Sequence, residues 1–355
     1  MAKLYNISNW SEQNWYSTGG TRDKKVYLNP DDNELYYFKK SFKKGQRDFR
    51  YEFWSEIIAS ELGKNLGFDV LDYHIAYSDD DIGCISKSMI SQDNEELVEG
   101  GKYLQAYDNT FNPDDRKLRH QYTFQLIVGA LKSLSLEQYF ENLVEIIVFD
   151  AIIGNSDRHQ ENWALIIKHT LTTQAMAEIE GSIERPHLSD LPKWFKKIIK
   201  RIVTQDGKLT PEFKQARLKL PKKGKTKFAP IYDSGCSFGR DLSEEAVEKL
   251  LSNPSELSNY IDKGLCEIHW DSEKVSHYSI IANLLEIEEV KGLVISIIVR
   301  ARKNYNADFV QGLINTVDDE LIAVKPNEKL PKNRKMLMSK LIDLRIKKLF
   351  SLIES

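Results

Sequence analysis

Between residues 137 and 154 the apolar side chains Phe140, Leu143, Val144, Ile146, Ile147, Val148, Phe149, Ile152 and Ile153 would point to nearly every side of a helix. A helix of this composition is stable only when surrounded, so the chain must supply a core large enough to enclose it. The stretch is too short to cross a bilayer and contains Glu145 and Asp150, so it reads as a buried core helix and not as a membrane span. With 355 residues, 41% of them hydrophobic, the chain has the length for two cores or one bilobal unit.

The 50 basic and 53 acidic side chains leave a net charge of −3, which gives no global ground for non-specific nucleic-acid binding. Three cysteines, an odd number without C-x-x-C spacing, argue against a disulfide framework or a structural zinc site and for a reducing compartment. Polar residues interrupt residues 1–15 and deny them the apolar centre of a secretory leader, so a cytoplasmic protein is expected.

Basic charge is nevertheless concentrated between residues 168 and 227, with 15 Lys and Arg against 6 Asp and Glu. Within that segment Trp194, Phe195, Ile198, Ile199 and Ile202 share a helix face, with Lys193, Lys196, Lys197, Lys200 and Arg201 around it. This predicts a solvated helix docked by its apolar side; the second reading is a surface for an acidic partner, nucleic acid or membrane. Residues 219–227, with Pro221 and Gly224, read as a loop.

The chain opens in a different register. Val26, Tyr27 and Leu28, then Asn29-Pro30-Asp31-Asp32-Asn33, then Leu35 to Phe38 predict a β-hairpin. Ahead of it Ser17, Gly19, Gly20 and Lys24 form a loop whose glycines would let backbone approach a ligand. Phe53, Trp54, Ile57, Ile58 and Leu62 then recur with helical period, and Gly63 or Gly67 would stop the helix. Residues 69–90 predict further strands of a small antiparallel sheet. A β-rich lobe (1–92) is thus expected to precede a larger, mostly helical lobe (93–355), with 168–227 as a basic insertion within it.

Chemistry is concentrated in three places. Directly after the buried helix comes Gly154-Asn155-Ser156-Asp157-Arg158-His159-Gln160-Glu161-Asn162, a polar loop on a rigid support. Asp157 and Asn162 have the separation that protein kinases use between the Asp accepting the substrate hydroxyl proton and the Asn holding magnesium. His159 stands where the common kinase pattern has lysine, and it could contact a transferred phosphoryl group. The second place is the apolar run from Phe228 ending in Tyr232-Asp233-Ser234-Gly235. Asp157, Asn162 and Asp233 form an oxygen donor set suited to magnesium. The third is a phosphate-holding cation: Lys39 or Lys40 at the end of the hairpin, steadied by Glu52 or Glu56. Strand alternation sends the two lysines to opposite faces, and Lys39 is taken as the inward one.

Taken in order, the glycine loop, strand lysine, helix glutamate, Asp-x4-Asn loop and Asp-x-Gly resemble the HipA-like serine/threonine kinases, and more particularly their shorter cell-translocating branch. The matching stretches are 17–24, 36–39, 52–63, 154–162, Tyr232-Asp233, and the terminal helix with Leu330-Pro331 and Arg345. The resemblance implies an α+β, bilobal kinase-like fold, ATP and magnesium as cosubstrates, and γ-phosphoryl transfer to a protein hydroxyl. It implies ATP contacts at Ser17, Gly19, Gly20, Lys39, Glu52, Met89, Ile90 and Ser91, magnesium at Asn162 and Asp233, and catalysis by Asp157 with His159. Ser17 would be the autophosphorylated residue of the loop, and delivery to another cell without a leader becomes a further expectation. The glycine loop begins near residue 17, without the domain that precedes it in HipA toxins, which puts docking to a DNA-binding antitoxin in doubt. Two other readings stand beside this one: a phosphoinositide-type lipid kinase, and a nucleotide-binding module without turnover.

Overall fold

The computed structural model describes residues 2–14, 24–41, 43–44, 47–79, 81–91, 94–113, 115–168 and 225–354. Ser17, Gly19 and Gly20, the predicted helix around Trp194, and most of the predicted loop at 219–227 lie outside the described residues. Contacts divide the chain into two units. One comprises 1–89, 98–165 and 228–355; the other comprises 90–97 and 166–227.

The first unit opens with a six-stranded sheet. Its strands are β1 (Leu4–Asn6), β2 (Ser11–Glu12), β3 (Lys24–Leu28), β4 (Leu35–Lys40), β7 (His74–Tyr77) and β8 (Ile82–Lys87), in the order β1-β7-β8-β4-β3-β2. Two short strands, β5 (Lys43–Lys44) and β6 (Arg47–Asp48), pair separately. The predicted hairpin is β3 and β4, in register from Lys24 opposite Lys39 to Leu28 opposite Leu35. Its turn is set by side chains: Asn29 Oδ1 accepts from the Asp31 amide at 3.0 Å, and Asp32 Oδ1 from the Glu34 amide at 3.1 Å. The sheet departs from the expected antiparallel pattern at one edge, where β1 runs parallel to β7. The chain between them, which includes α1 (Glu52–Leu66), supplies the crossover that a parallel pair needs.

Helix α1 is buried along nearly its whole length, with Trp54, Ile57, Ile58 and Leu62 at 0% exposure. Gly67 ends it in the left-handed region at φ +86°, its N–H donating to Lys64 O. Gly63 serves packing instead, since a Cβ there would lie 2.5 Å from Val70 Cγ1.

The helical part of this unit contains α2 (Gly100–Tyr107), α3 (Phe124–Ser133), α4 (Phe140–Ile153), α5 (Glu244–Ser252), α6 (Pro254–Asp262), α7 (His277–Leu285), α8 (Glu288–Asn304), α9 (Ala307–Thr316), α10 (Asp319–Ile322) and α11 (Lys332–Glu354). The predicted core helix is α4, entered through a 3-10 turn at Glu137–Tyr139. Helices α7, α8 and α11 pack against it, which is why its apolar side chains extend around most of its circumference. No described helix is long and apolar enough to cross a membrane, and all three cysteines are buried free thiols.

Strands β9 (Glu95–Glu99), β10 (Ala164–Lys168) and β11 (Lys225–Phe228) form a three-stranded sheet in the order β11-β10-β9. The Ala229 amide donates to Ala164 O at 2.9 Å and joins the run after the polar loop to the run that leads into Asp233. Trp163 follows the polar loop, stacks on Phe228 and donates from Nε1 to Tyr122 OH at 3.0 Å. Gly100 lies against its indole, and a Cβ there would approach Cε2 to 2.1 Å. Alanine is the better helix former, but here the clash outweighs propensity. Gly100→Ala is therefore expected to lower unfolding stability by about 1–3 kcal/mol, read by urea denaturation; an unchanged or raised midpoint would show that Trp163 is loosely held.

Candidate active site

Gly154 ends α4 at φ +68°, and the chain turns at once into the polar loop. What fixes the loop is Arg158, which is fully buried. Its Nε and Nη2 donate to the two carboxylate oxygens of Asp150 on α4, both at 2.9 Å. Nη1 donates to Asn162 O at 3.0 Å and to Tyr232 O, while Nη2 also reaches Ser234 Oγ at 3.2 Å. One guanidinium thus joins the core helix, the far end of the loop and the Asp-x-Gly segment. Burial alone would lower its affinity for a proton, but the Asp150 carboxylate holds it above the usual arginine range.

Within this frame Asn162 Nδ2 donates to the Asp157 carbonyl at 2.7 Å, leaving the amide oxygen as the atom able to act as a ligand. Asp157 is partly exposed, and its Oδ2 accepts from the Cys236 thiol at 3.4 Å. His159, also partly exposed, accepts at Nδ1 from the Glu161 amide at 3.3 Å, so that it belongs to the loop surface.

Lys39 is 6% exposed at the end of β4, whereas Lys40 points out and pairs with Asp81 at 2.9 Å. Lys39 Nζ donates to Glu56 Oε1 and, at 2.6 Å, to Asp233 Oδ1; Glu52 Oε1 lies 3.6 Å away. The other oxygen of Glu56 accepts from the Ser234 amide at 2.7 Å, so this carboxylate ties lysine strand, α1 and Asp-x-Gly together. Glu52 Oε2 instead accepts from Arg240 Nη1, and Arg240 Nη2 reaches Cys236 Sγ at 2.9 Å. The contacts therefore run without a break from Lys39 through Glu52, Arg240 and Cys236 to Asp157.

Asp233 adopts φ +54°, a left-handed conformation that aspartate tolerates better than most residues. Its amide donates to Tyr73 OH at 3.4 Å. Burial, reinforced by the Glu56 and Asp233 carboxylates, raises the Tyr73 phenol well above its ordinary pKa and keeps it a neutral partner. Gly235 is required by close approach, because a Cβ there would come within 2.9 Å of Glu52 Cγ and Glu56 Oε1.

Of the residues singled out from sequence, Lys39, Glu52, Glu56 and Asp233 thus form one cluster, and Asp157, His159 and Asn162 share one loop held to it. Met89 ends the first unit just beyond β8. Ile90 and Ser91 open the second, where Ser91 N donates to Glu95 Oε2 at 2.9 Å. Sequence reasoning did not single out Asp150, Arg158, Cys236 or Arg240. A carboxylate within the apolar run Ile146–Ile153, followed by an arginine in a fixed loop, was the available signal for the first two.

These features define a protein-kinase-like fold, with an antiparallel-rich sheet and α1 set before a helical part that carries the polar loop. The fold is similar to that of the crystal structure of a Helicobacter pylori proinflammatory kinase, CtkA, with a TM-score of 0.66 at 15% identity over 99% of this chain and 96% of that one. A second match is HipA of Shewanella oneidensis MR-1, from a toxin–antitoxin complex of HipA, HipB and operator DNA, with a TM-score of 0.45 at 12% identity over 96% of this chain and 67% of that one. No protein-family model matches the chain, and no curated protein sequence does. The resemblance to HipA-like kinases read from the sequence is thus matched at the level of fold.

Arg158→Met would leave Asp150 buried and uncompensated. It is expected to destabilise the fold by about 3–5 kcal/mol in urea unfolding, and Arg158→Lys should recover only part of this because lysine cannot make the paired contact. A loss below about 1 kcal/mol for Arg158→Met would contradict the central role given to this side chain.

Proposed function

We propose that the chain is an ATP- and magnesium-dependent serine/threonine protein kinase of the HipA-like kind. The observation that carries the reading is the placement of Lys39 against Glu56 and Asp233, beside a loop whose Asp157 and Asn162 are set by a buried arginine. A held lysine ammonium suits nucleotide phosphates, and a partly exposed carboxylate suits a hydroxyl acceptor.

In this reading Lys39 binds the phosphates, with Glu56 fixing its position and Glu52 linking it through Arg240 toward the loop. Asp157 orients the acceptor hydroxyl and takes its proton, while Cys236 steadies the carboxylate oxygen that it touches. His159 lies on the same loop and would face the transferred group. Asn162 and Asp233 would hold magnesium: an amide oxygen and a carboxylate are hard donors, and this ion is usually completed by water and phosphate oxygens. Among the described residues no group of three or more His, Cys, Asp or Glu could hold a metal ion. Magnesium, when bound, would supply charge neutralisation for the phosphates. Catalysis by the chain itself would rest on positioning and electrostatics, because the transition state of phosphoryl transfer is loose.

The adenine would lie near Met89, Ile90 and Ser91, and the phosphates near Gly19 and Gly20. Ser17 is the proposed autophosphorylation acceptor on sequence resemblance alone.

Nucleotide titration paired with ADP production tests the assignment of roles. Asp157→Asn is expected to lower magnesium-dependent ADP formation by about 10²–10⁴-fold with ATP affinity within about twofold of wild type. Lys39→Met should weaken ATP binding by about tenfold or more. Turnover by Asp157→Asn at the wild-type rate would overturn the reading, as would unchanged ATP affinity in Lys39→Met.

A further inference from the structure

Behind the polar loop is a cavity of about 560 Å³, lined in part by Cys236 and reaching beyond the residues given a role in the proposed chemistry. Gly154 and Ser156 of the loop form one wall; α6, α7 and α11 supply Tyr260, His277 and Arg345. A cavity of this size accommodates a small molecule.

Two of its lining residues are buried polar side chains with unmet capacity. Arg345 is 3% exposed, and its Nη1 has no hydrogen-bond partner. Among the described residues no carboxylate pairs with it. His277 is 2% exposed, and neither ring nitrogen has a partner. Burial, with the Arg345 charge second, pushes the imidazole pKa down to about 3, so at neutral pH the ring offers one donor and one acceptor. The guanidinium is also given its place by the loop: a Cβ on Gly154 would lie 1.6 Å from Nη1, so any other residue there would displace it.

A buried cation without a counterion is costly, and the negative end of α4 offsets only part of that cost. The remaining charge is compensated best by an anion. Two carboxylates do line the cavity, but Glu256 is paired with Lys249 at 2.9 Å and Asp241 is exposed. Lys263 adds a second positive charge at the exposed side. This part of the lining is therefore positive, polar and unpaired.

We propose that this cavity binds a small molecule bearing a carboxylate or phosphoryl head group, with Arg345 and His277 holding the head group and Gly154 and Ser156 lining its path. Lys39, Glu52, Glu56 and Asp233 do not line this cavity, and the inference stands whether or not the chain is a kinase.

The test is calorimetric titration of the full chain with inorganic phosphate and, separately, with acetate. Wild type should bind at least one of the two with about millimolar affinity, and the preferred anion identifies the head group. Arg345→Met should weaken binding by about tenfold or more. Asn259→Trp, which fills the exposed side of the cavity without touching the buried charges, should do the same and decides the matter if Arg345→Met does not fold. Lys39→Met should leave this binding unchanged, which separates it from phosphate held at the proposed nucleotide site. Absence of binding by wild type overturns the proposal, as does binding that survives Asn259→Trp or is lost in Lys39→Met.

Discussion

The site depends on one buried ion pair. Arg158 lies on the polar loop, Asp150 on the core helix, and the two are joined by a pair of 2.9 Å hydrogen bonds with no exposure on the arginine. Two charges taken out of water must be fully partnered, and here each remaining guanidinium donor has a defined acceptor: Asn162 O, Tyr232 O or Ser234 Oγ. Loop and Asp-x-Gly segment cannot shift independently without breaking one of these bonds. The apolar packing of α4 matters for the same reason, since a rigid helix in a packed core is what gives Asp150 a fixed position.

The second constraint is electrostatic and lies one layer outward. Lys39 has Glu56, Asp233 and Glu52 around it, more negative charge than one ammonium can neutralise. Arg240 on Glu52, and Lys24 at 4.0 Å from Asp233, share the balance. Such a cluster holds the lysine in one place and leaves it able to meet a polyanion, the property that the proposed function requires of it.

How much of this could be read from the chain follows from where each signal lies. The β3–β4 hairpin and α4 were legible because alternation, a turn rich in Asn, Asp and Pro, and a largely apolar run are local patterns. Asp157 and Asn162 were legible because five-residue spacing within one loop survives without knowledge of the fold. Glu52 and Glu56 were not separable, being one helical turn apart on the same face; only α1 packing shows Glu56 under Lys39 and Glu52 turned to Arg240. The pairing of Asp150 with Arg158, and the meeting of His277 with Arg345 behind Gly154, join elements whose approach is set by tertiary packing. No local pattern carries them. The parallel pairing of β1 with β7 belongs to the same class, since it joins residues at opposite ends of a long crossover.

The central claim is that this fold and this arrangement of Lys39, Asp157, Asn162 and Asp233 transfer a phosphoryl group to a protein hydroxyl. The most direct measurement is the intact mass of the purified chain, and of an added serine- and threonine-rich protein, before and after incubation with ATP and magnesium, with Asp157→Asn alongside. The account predicts a phosphoryl gain on one or both proteins with the wild-type chain and none with Asp157→Asn. No gain on either protein with wild-type chain that was unphosphorylated at the start, or an equal gain with Asp157→Asn, would contradict it.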